Sequence, residues 1–181
     1  MNEACRLNLS FDTKYLQGLQ LVEYRTVTRH QKYAKRQAKT YNLLPVKVLL
    51  LPGKRAKDYI ISQLPGDILR VEVPDVSILS MEPPEDIARP MIGAHVDLHR
   101  VATLNYYLEA HNEITTFYDW VGGDVTPRSD FCASTGSVYI LDVTKPHSVS
   151  MHPRITRRVL TMSFFHTSFE SLRRICAPYV Y

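Results

Sequence analysis

The chain has 181 residues, 45% of them apolar and 22% charged, which is ordinary globular usage and excludes a disordered or fibrous protein. The length suits one domain with a real core better than two. The formal net charge of +4 is unevenly placed, because ten Lys and Arg fall between residues 24 and 57 with no acid among them (Arg25, Arg29, Lys32, Lys35, Arg36, Lys39, Lys47, Lys54, Arg55, Lys57) and the remainder is net acidic. Cys5, Cys132 and Cys176 are odd in number and far apart, which argues against a disulfide framework or zinc knuckle and for a reducing, cytoplasmic setting. The residues Met1-Asn2-Glu3-Ala4-Cys5-Arg6 open no signal-peptide-like apolar run. The longest apolar stretch, Leu43–Leu51, contains Pro45 and Lys47 and is too short to span a bilayer.

In chain order, residues 28–41 read as a helix. Ala34, Ala38 and Tyr41 form one stripe, and Arg25, Arg29, Lys32, Arg36 and Lys39 recur on a second face. Val46–Leu51 suits a buried strand, and Lys54–Leu64 a second helix between Pro52-Gly53 and Pro65-Gly66. From about residue 68, runs rich in β-branched and aromatic residues follow one another between turns: Ile68–Val73, Val76–Met81, Met91–Asp97, Ala102–Leu108, Ile114–Trp120, Ser137–Leu141 and Arg157–Phe165. Their spacing predicts an antiparallel sandwich or barrel, with Tyr118 and Trp120 in its core. A last short helix is expected at Ser168–Ile175. The expected organisation is a single mainly β domain over 1–181: a helical, basic buttress over 1–67, a β core over 68–166 and a C-terminal helix within 167–181.

Chemistry enters at His95-Val96-Asp97. Residues i and i+2 of a strand share a face, so an imidazole and a carboxylate can bind one ion side by side. His147, after Pro146, is the leading candidate for a third ligand. Two histidines and one carboxylate suit non-haem Fe(II) and leave positions open for substrates. Ten residues later Arg157, Val159, Thr161 and Ser163 share a strand face. An inward Arg with a hydroxyl four residues on is a good receptor for a carboxylate. No P-loop, GxGxxG or Ser-His-Asp arrangement is present, so nucleotide-hydrolysis, dinucleotide and hydrolase chemistry have no support.

The order His95-Val-Asp97, Asn105-Tyr106-Tyr107-Leu108, Thr115-Thr-Phe-Tyr118, Gly136–Asp142, Pro146-His147-Ser-Val149 and Arg157-x3-Thr161 resembles the Fe(II)/2-oxoglutarate-dependent oxygenases, within them the prolyl-hydroxylase-like branch. The resemblance spans roughly residues 76–166. It implies a double-stranded β-helix (jelly-roll, cupin-like) core with helices packed on it. It also implies Fe(II) on His95, Asp97 and His147, with 2-oxoglutarate and O2 as cosubstrates. Arg157 would clamp the distal 2-oxoglutarate carboxylate, supported by Thr161 and the Tyr107 phenol, with Arg158 the alternative after a one-residue slip. The expected reaction is C–H hydroxylation with release of succinate and CO2; a carboxylate at position 97 favours this over halogenation. Two departures from the family pattern stand out. Pro83-Pro84-Glu85-Asp86 replaces an upstream tyrosine, and Ser163 replaces a bulky aromatic, which predicts a roomier pocket.

Three readings of the function follow. A protein or peptide side chain, such as prolyl, is slightly favoured. A nucleic acid or nucleotide is the alternative, held by the basic 25–57 segment with Tyr24, Tyr33 and Tyr41 for stacking. The third is a non-catalytic metal-binding jelly-roll module. Arg100 is a further candidate to reach a substrate group.

Overall fold

Six of the seven runs expected as strands from residue 68 onward become strands. The computed structural model describes residues 3–16, 21–28, 42–43, 45–83, 90–97, 99–121 and 124–181. Among them, strands β1 (Ala4–Leu7), β2 (Val22–Thr28), β3 (Asn42–Leu43) and β4 (Pro45–Leu50) precede helices α1 (Gly53–Ile61) and α2 (Gly66–Val71). Then come β5 (Asp75–Met81), β6 (Pro90–His95), β7 (Ala102–Glu109), β8 (Glu113–Val121), β9 (Asp124–Ala133), β10 (Val138–Leu141), β11 (His147–Ser150), β12 (Arg157–Phe164) and helix α3 (Phe169–Ile175). They form a seven-stranded sheet, β1-β10-β7-β12-β5-β4-β2, and a five-stranded sheet, β3-β6-β11-β8-β9. All pairings are antiparallel except β3 with β6.

The period of two gives the large sheet two unlike faces. Leu160, Met162 and Phe164 of β12, Leu104 of β7 and Val76 and Ile78 of β5 share one buried cluster with Ile60 of α1, Ile68 of α2 and Leu172 of α3. That outer face is the main core. The intervening residues, Arg157, Thr161 and Ser163 on β12 with Thr103 and Asn105 on β7, line a cavity on the inner face. Helix α1 packs through Ala56 and Ile60, one turn apart. Helix α3 is started by Ser168, whose Oγ accepts from the Ser171 amide, and it carries Glu170 in its first turn and Arg173 and Arg174 in its last, as the helix dipole favours.

Several local expectations change. Ile68–Val73 is not a strand: Pro65 precedes a short helix there, stabilised by an Asp67–Arg70 pair one turn apart, and Pro74 follows. A short apolar run bounded by prolines is ambiguous by periodicity alone. The described part of the first third contributes strands to the large sheet as well as α1, so that sheet draws on both sides of residue 67. Arg25 lies in β2 rather than on a helix, and the rest of the expected helix, residues 29–41, lies outside the described residues. Later basic residues are tied to acids: Lys47 to Glu82, Lys54 to Asp58 and Lys57 to Asp75. Tyr118 is buried as expected, but Trp120 is exposed, because β11 pairs with β8 only up to Phe117 and the β8–β9 ribbon continues alone.

Candidate metal centre

His95 ends β6 and His147 begins β11, and the two are direct cross-strand partners. Their rings lie 4.4 Å apart, centroid to centroid. Asp97 sits just beyond the end of β6, where its backbone N–H donates to the Val143 carbonyl at 3.1 Å. Pairing of β6 with β11 and that one amide bond therefore bring the three side chains together. Their ligand atoms all lie within 4.8 Å of one another, with Asp97 and His147 buried and His95 half-buried.

The imidazoles are aimed by their backbones. His95 Nδ1 is 2.7 Å from the Gly93 carbonyl, and His147 Nδ1 is 2.9 Å from the Lys145 carbonyl. A carbonyl only accepts, so each Nδ1 carries a proton and donates, which leaves Nε2 as the nitrogen available to a metal. This is the orientation in which histidines ligate a metal, with a carbonyl fixing the tautomer from behind. Arg100 Nε donates to Asp97 Oδ2 at 2.7 Å, and its Nη1 donates to Ser163 Oγ at 3.2 Å. Ser163 and Arg100 both line the inner cavity. The stretch 84–86 of the other departure lies outside the described residues.

A cavity of about 430 Å³ joins the triad to Arg157. Arg157 is 5% exposed on its inner face, whereas Arg158 points outward toward Glu109 Oε1 at 3.4 Å, so the two arginines are separated by side. Tyr107 is fully buried behind Arg157, whose Cζ lies 5.4 Å from the phenol ring centroid. Burial pushes the Tyr107 phenol well above its ordinary pKa despite Arg157 nearby, so it keeps its proton and remains a donor. Tyr107 is not itself among the described cavity-lining residues; Thr103 and Asn105, earlier on the same strand face, are.

The lining carries unmet hydrogen-bonding capacity. Thr103 Oγ1, Asn105 Oδ1, Thr115 Oγ1 and Thr161 Oγ1 are buried with no hydrogen-bond partner among the described residues. An unsatisfied buried polar atom costs about 1–3 kcal/mol, and several around one cavity indicate a site shaped for a polar ligand. The donor set of the triad fits Fe(II), and the cavity's hydroxyls, amide and guanidinium fit a keto acid with a second carboxylate.

One participant went unread in the sequence. Glu113, the first residue of β8, is 2% exposed, and its Oε1 accepts from Arg157 Nε. Burial pushes the Glu113 carboxyl above the usual carboxylate range, against the pull of Arg157. Burial also works against the Arg157 charge, but Glu113 and Tyr107 beside it hold the guanidinium pKa above its ordinary value, so it stays charged. The signal was present. Glu113, Thr115 and Phe117 are buried in alternation, and extending the expected strand back by one residue turns Glu113 inward.

No family model matches the chain, and no curated protein matches it. Among solved structures, a prolyl hydroxylase from Trichoplax adhaerens, in complex with a hypoxia inducible factor oxygen degradation domain peptide fragment, superposes with a TM-score of 0.51 at 12% identity, covering 91% of this chain and 84% of that one. A Pseudomonas putida prolyl-4-hydroxylase aligns with a TM-score of 0.49 at 14% identity over 91% of this chain and 93% of that one. A 2OG-Fe(II) oxygenase family member from Burkholderia pseudomallei gives 0.45 at 14% identity, over 80% and 73%. No described helix is long and apolar enough to cross a membrane. The chain has a double-stranded β-helix fold like that of the Trichoplax adhaerens prolyl hydroxylase, with the His95-Asp97-His147 triad lining its inner cavity.

Proposed function

We propose that the protein is an Fe(II)- and 2-oxoglutarate-dependent dioxygenase, one domain over 1–181, that hydroxylates a C–H bond of a peptide side chain. The observation that carries this reading is the continuity of the cavity from a His-Asp-His triad to a buried arginine, past polar atoms with no partner among the described residues. His95 and His147 would hold iron through Nε2 and Asp97 through its carboxylate. Bound iron, 2-oxoglutarate and O2 would supply oxidation of the keto acid to succinate and CO2, coupled to hydroxylation of the substrate. The chain's own residues orient and exclude water. Arg157 has its Nε on Glu113, which leaves the Nη edge to receive a carboxylate end-on. The Thr161 hydroxyl lies on the same face, and Tyr107 backs the guanidinium with a phenol that stays protonated.

A peptide is favoured over nucleic acid on two grounds. Tyr24 and Phe165 line the cavity and are exposed, which offers an apolar rim to a side chain entering from solvent. The described lysines of the basic segment face carboxylates, which reduces the charge available to phosphates.

The purified protein, given Fe(II), 2-oxoglutarate and O2, is expected to form succinate slowly without substrate. Absence of succinate, together with iron binding that His95→Ala leaves unweakened, overturns the reading. Arg157→Ala is expected to raise the 2-oxoglutarate requirement about 100-fold, as loss of a buried charged partner does, with little change in iron affinity. Arg157→Lys, which keeps a cation opposite Glu113, separates this effect from misfolding.

A further inference from the structure

The metal chemistry makes no demand for an acid at position 113, yet Glu113 places a buried carboxylate directly on the cosubstrate arginine. A guanidinium has donors along two edges, and Glu113 occupies the Nε edge. This has two consequences of opposite sign for a ligand carboxylate arriving at the other edge. The contact orients the guanidinium before binding, which removes an ordering cost. It also sets a second negative charge one guanidinium width away, in surroundings where charges are weakly screened. The Arg157–Glu113 pair is already neutral, so an anionic ligand gains less from Arg157 than from an unpaired arginine.

We infer that Glu113 is a positioning residue that fixes the Arg157 guanidinium while its charge holds down the affinity for the distal carboxylate of the cosubstrate. This rests on the 2-oxoglutarate reading above. It makes the site a deliberately weak anion receptor, whose occupancy follows the cosubstrate concentration instead of saturating. Replacing Glu113 by a neutral residue of the same shape therefore tightens cosubstrate binding, a gain that damage to the fold does not produce.

The test is calorimetric titration of 2-oxoglutarate into the full chain loaded with Mn(II), a metal that binds without turnover, for the native protein, Glu113→Gln and Glu113→Met. The control ligand is 2-oxobutyrate, which keeps the keto acid and lacks the distal carboxylate. In Glu113→Gln, 2-oxoglutarate is expected to bind about tenfold tighter, with 2-oxobutyrate and Mn(II) affinities unchanged. Glu113→Met, also neutral, shows the same sign of change and serves if the Gln variant does not fold. Equal or weaker 2-oxoglutarate binding in a folded neutral variant overturns the inference, as does an equal gain for both ligands. If neither the native protein nor the variants bind 2-oxoglutarate while Mn(II) still binds, the cosubstrate reading itself falls.

Discussion

Glu72 shows how much one side chain can organise outside the cavity. Its Oε1 accepts from the Phe165 amide at 2.8 Å, and its Oε2 from the His166 and Thr167 amides at 3.2 and 2.8 Å. The carboxylate thereby anchors the turn between β12 and α3. Burial alone would raise its pKa, but those amides and the Thr167 hydroxyl hold it below the usual range. Because the folded value is depressed, the stabilisation is present above the unfolded pKa of about 4.3 and is lost as pH falls through the folded value. Glu72→Gln is expected to cost about 1 kcal/mol at pH 7 in urea unfolding, and the gap to the native protein should narrow as pH falls below about 4. His95, Asp97, His147 and Arg157 were legible because each sits in a short motif with a fixed spacing. Glu113 was not, because the strand was expected to begin one residue later, at Ile114, and its partner, Arg157, lies 44 positions away in the chain.

Among the elements, β5, β6, β7, β10 and β12 were legible as runs rich in β-branched and aromatic residues between turns, because nearly every position of these strands is buried. Strand β9 escaped notice because it is the edge of the small sheet. Its polar Thr126-Pro127-Arg128-Ser129-Asp130 run has little to bury, and Pro127 is tolerated where the β8–β9 register shifts. The turn after it is better determined. The Ser137 amide closes onto the Ser134 carbonyl at 3.0 Å, and Gly136 has φ +84, a conformation open to glycine and costly for other residues. A Cβ there would meet nothing within 4 Å, so Gly136→Ala carries backbone strain alone. It is expected to destabilise the protein by about 1–2 kcal/mol in equilibrium unfolding without a packing defect. The Gly136 amide also donates to the Tyr107 carbonyl at 2.8 Å, so the turn helps to hold the strand behind the arginine.

For the molecule as a whole, the division of labour between sheets matters most. The metal triad sits at the small sheet, and Arg157 and Thr161 project from the large one. A bound ion favours the folded chain, and at 100 times its dissociation constant a ligand adds about 2.7 kcal/mol. Mn(II) is accordingly expected to raise the melting temperature by about 5–10 °C, the range set by a chain of this size. His147→Ala should abolish that shift in a thermal scan while leaving a folded protein.

Strand β12 has a further consequence for biosynthesis. It pairs with β5 on one side and β7 on the other, in the middle of the large sheet, yet it follows every other strand of that sheet in the chain. During translation β5 and β7 therefore emerge as two open edges whose shared partner is still unmade. Unpaired edges of this kind recruit other chains. Fragments that stop before Arg157 are therefore expected to aggregate, and the chain depends on protection of those two edges until its central strand leaves the ribosome.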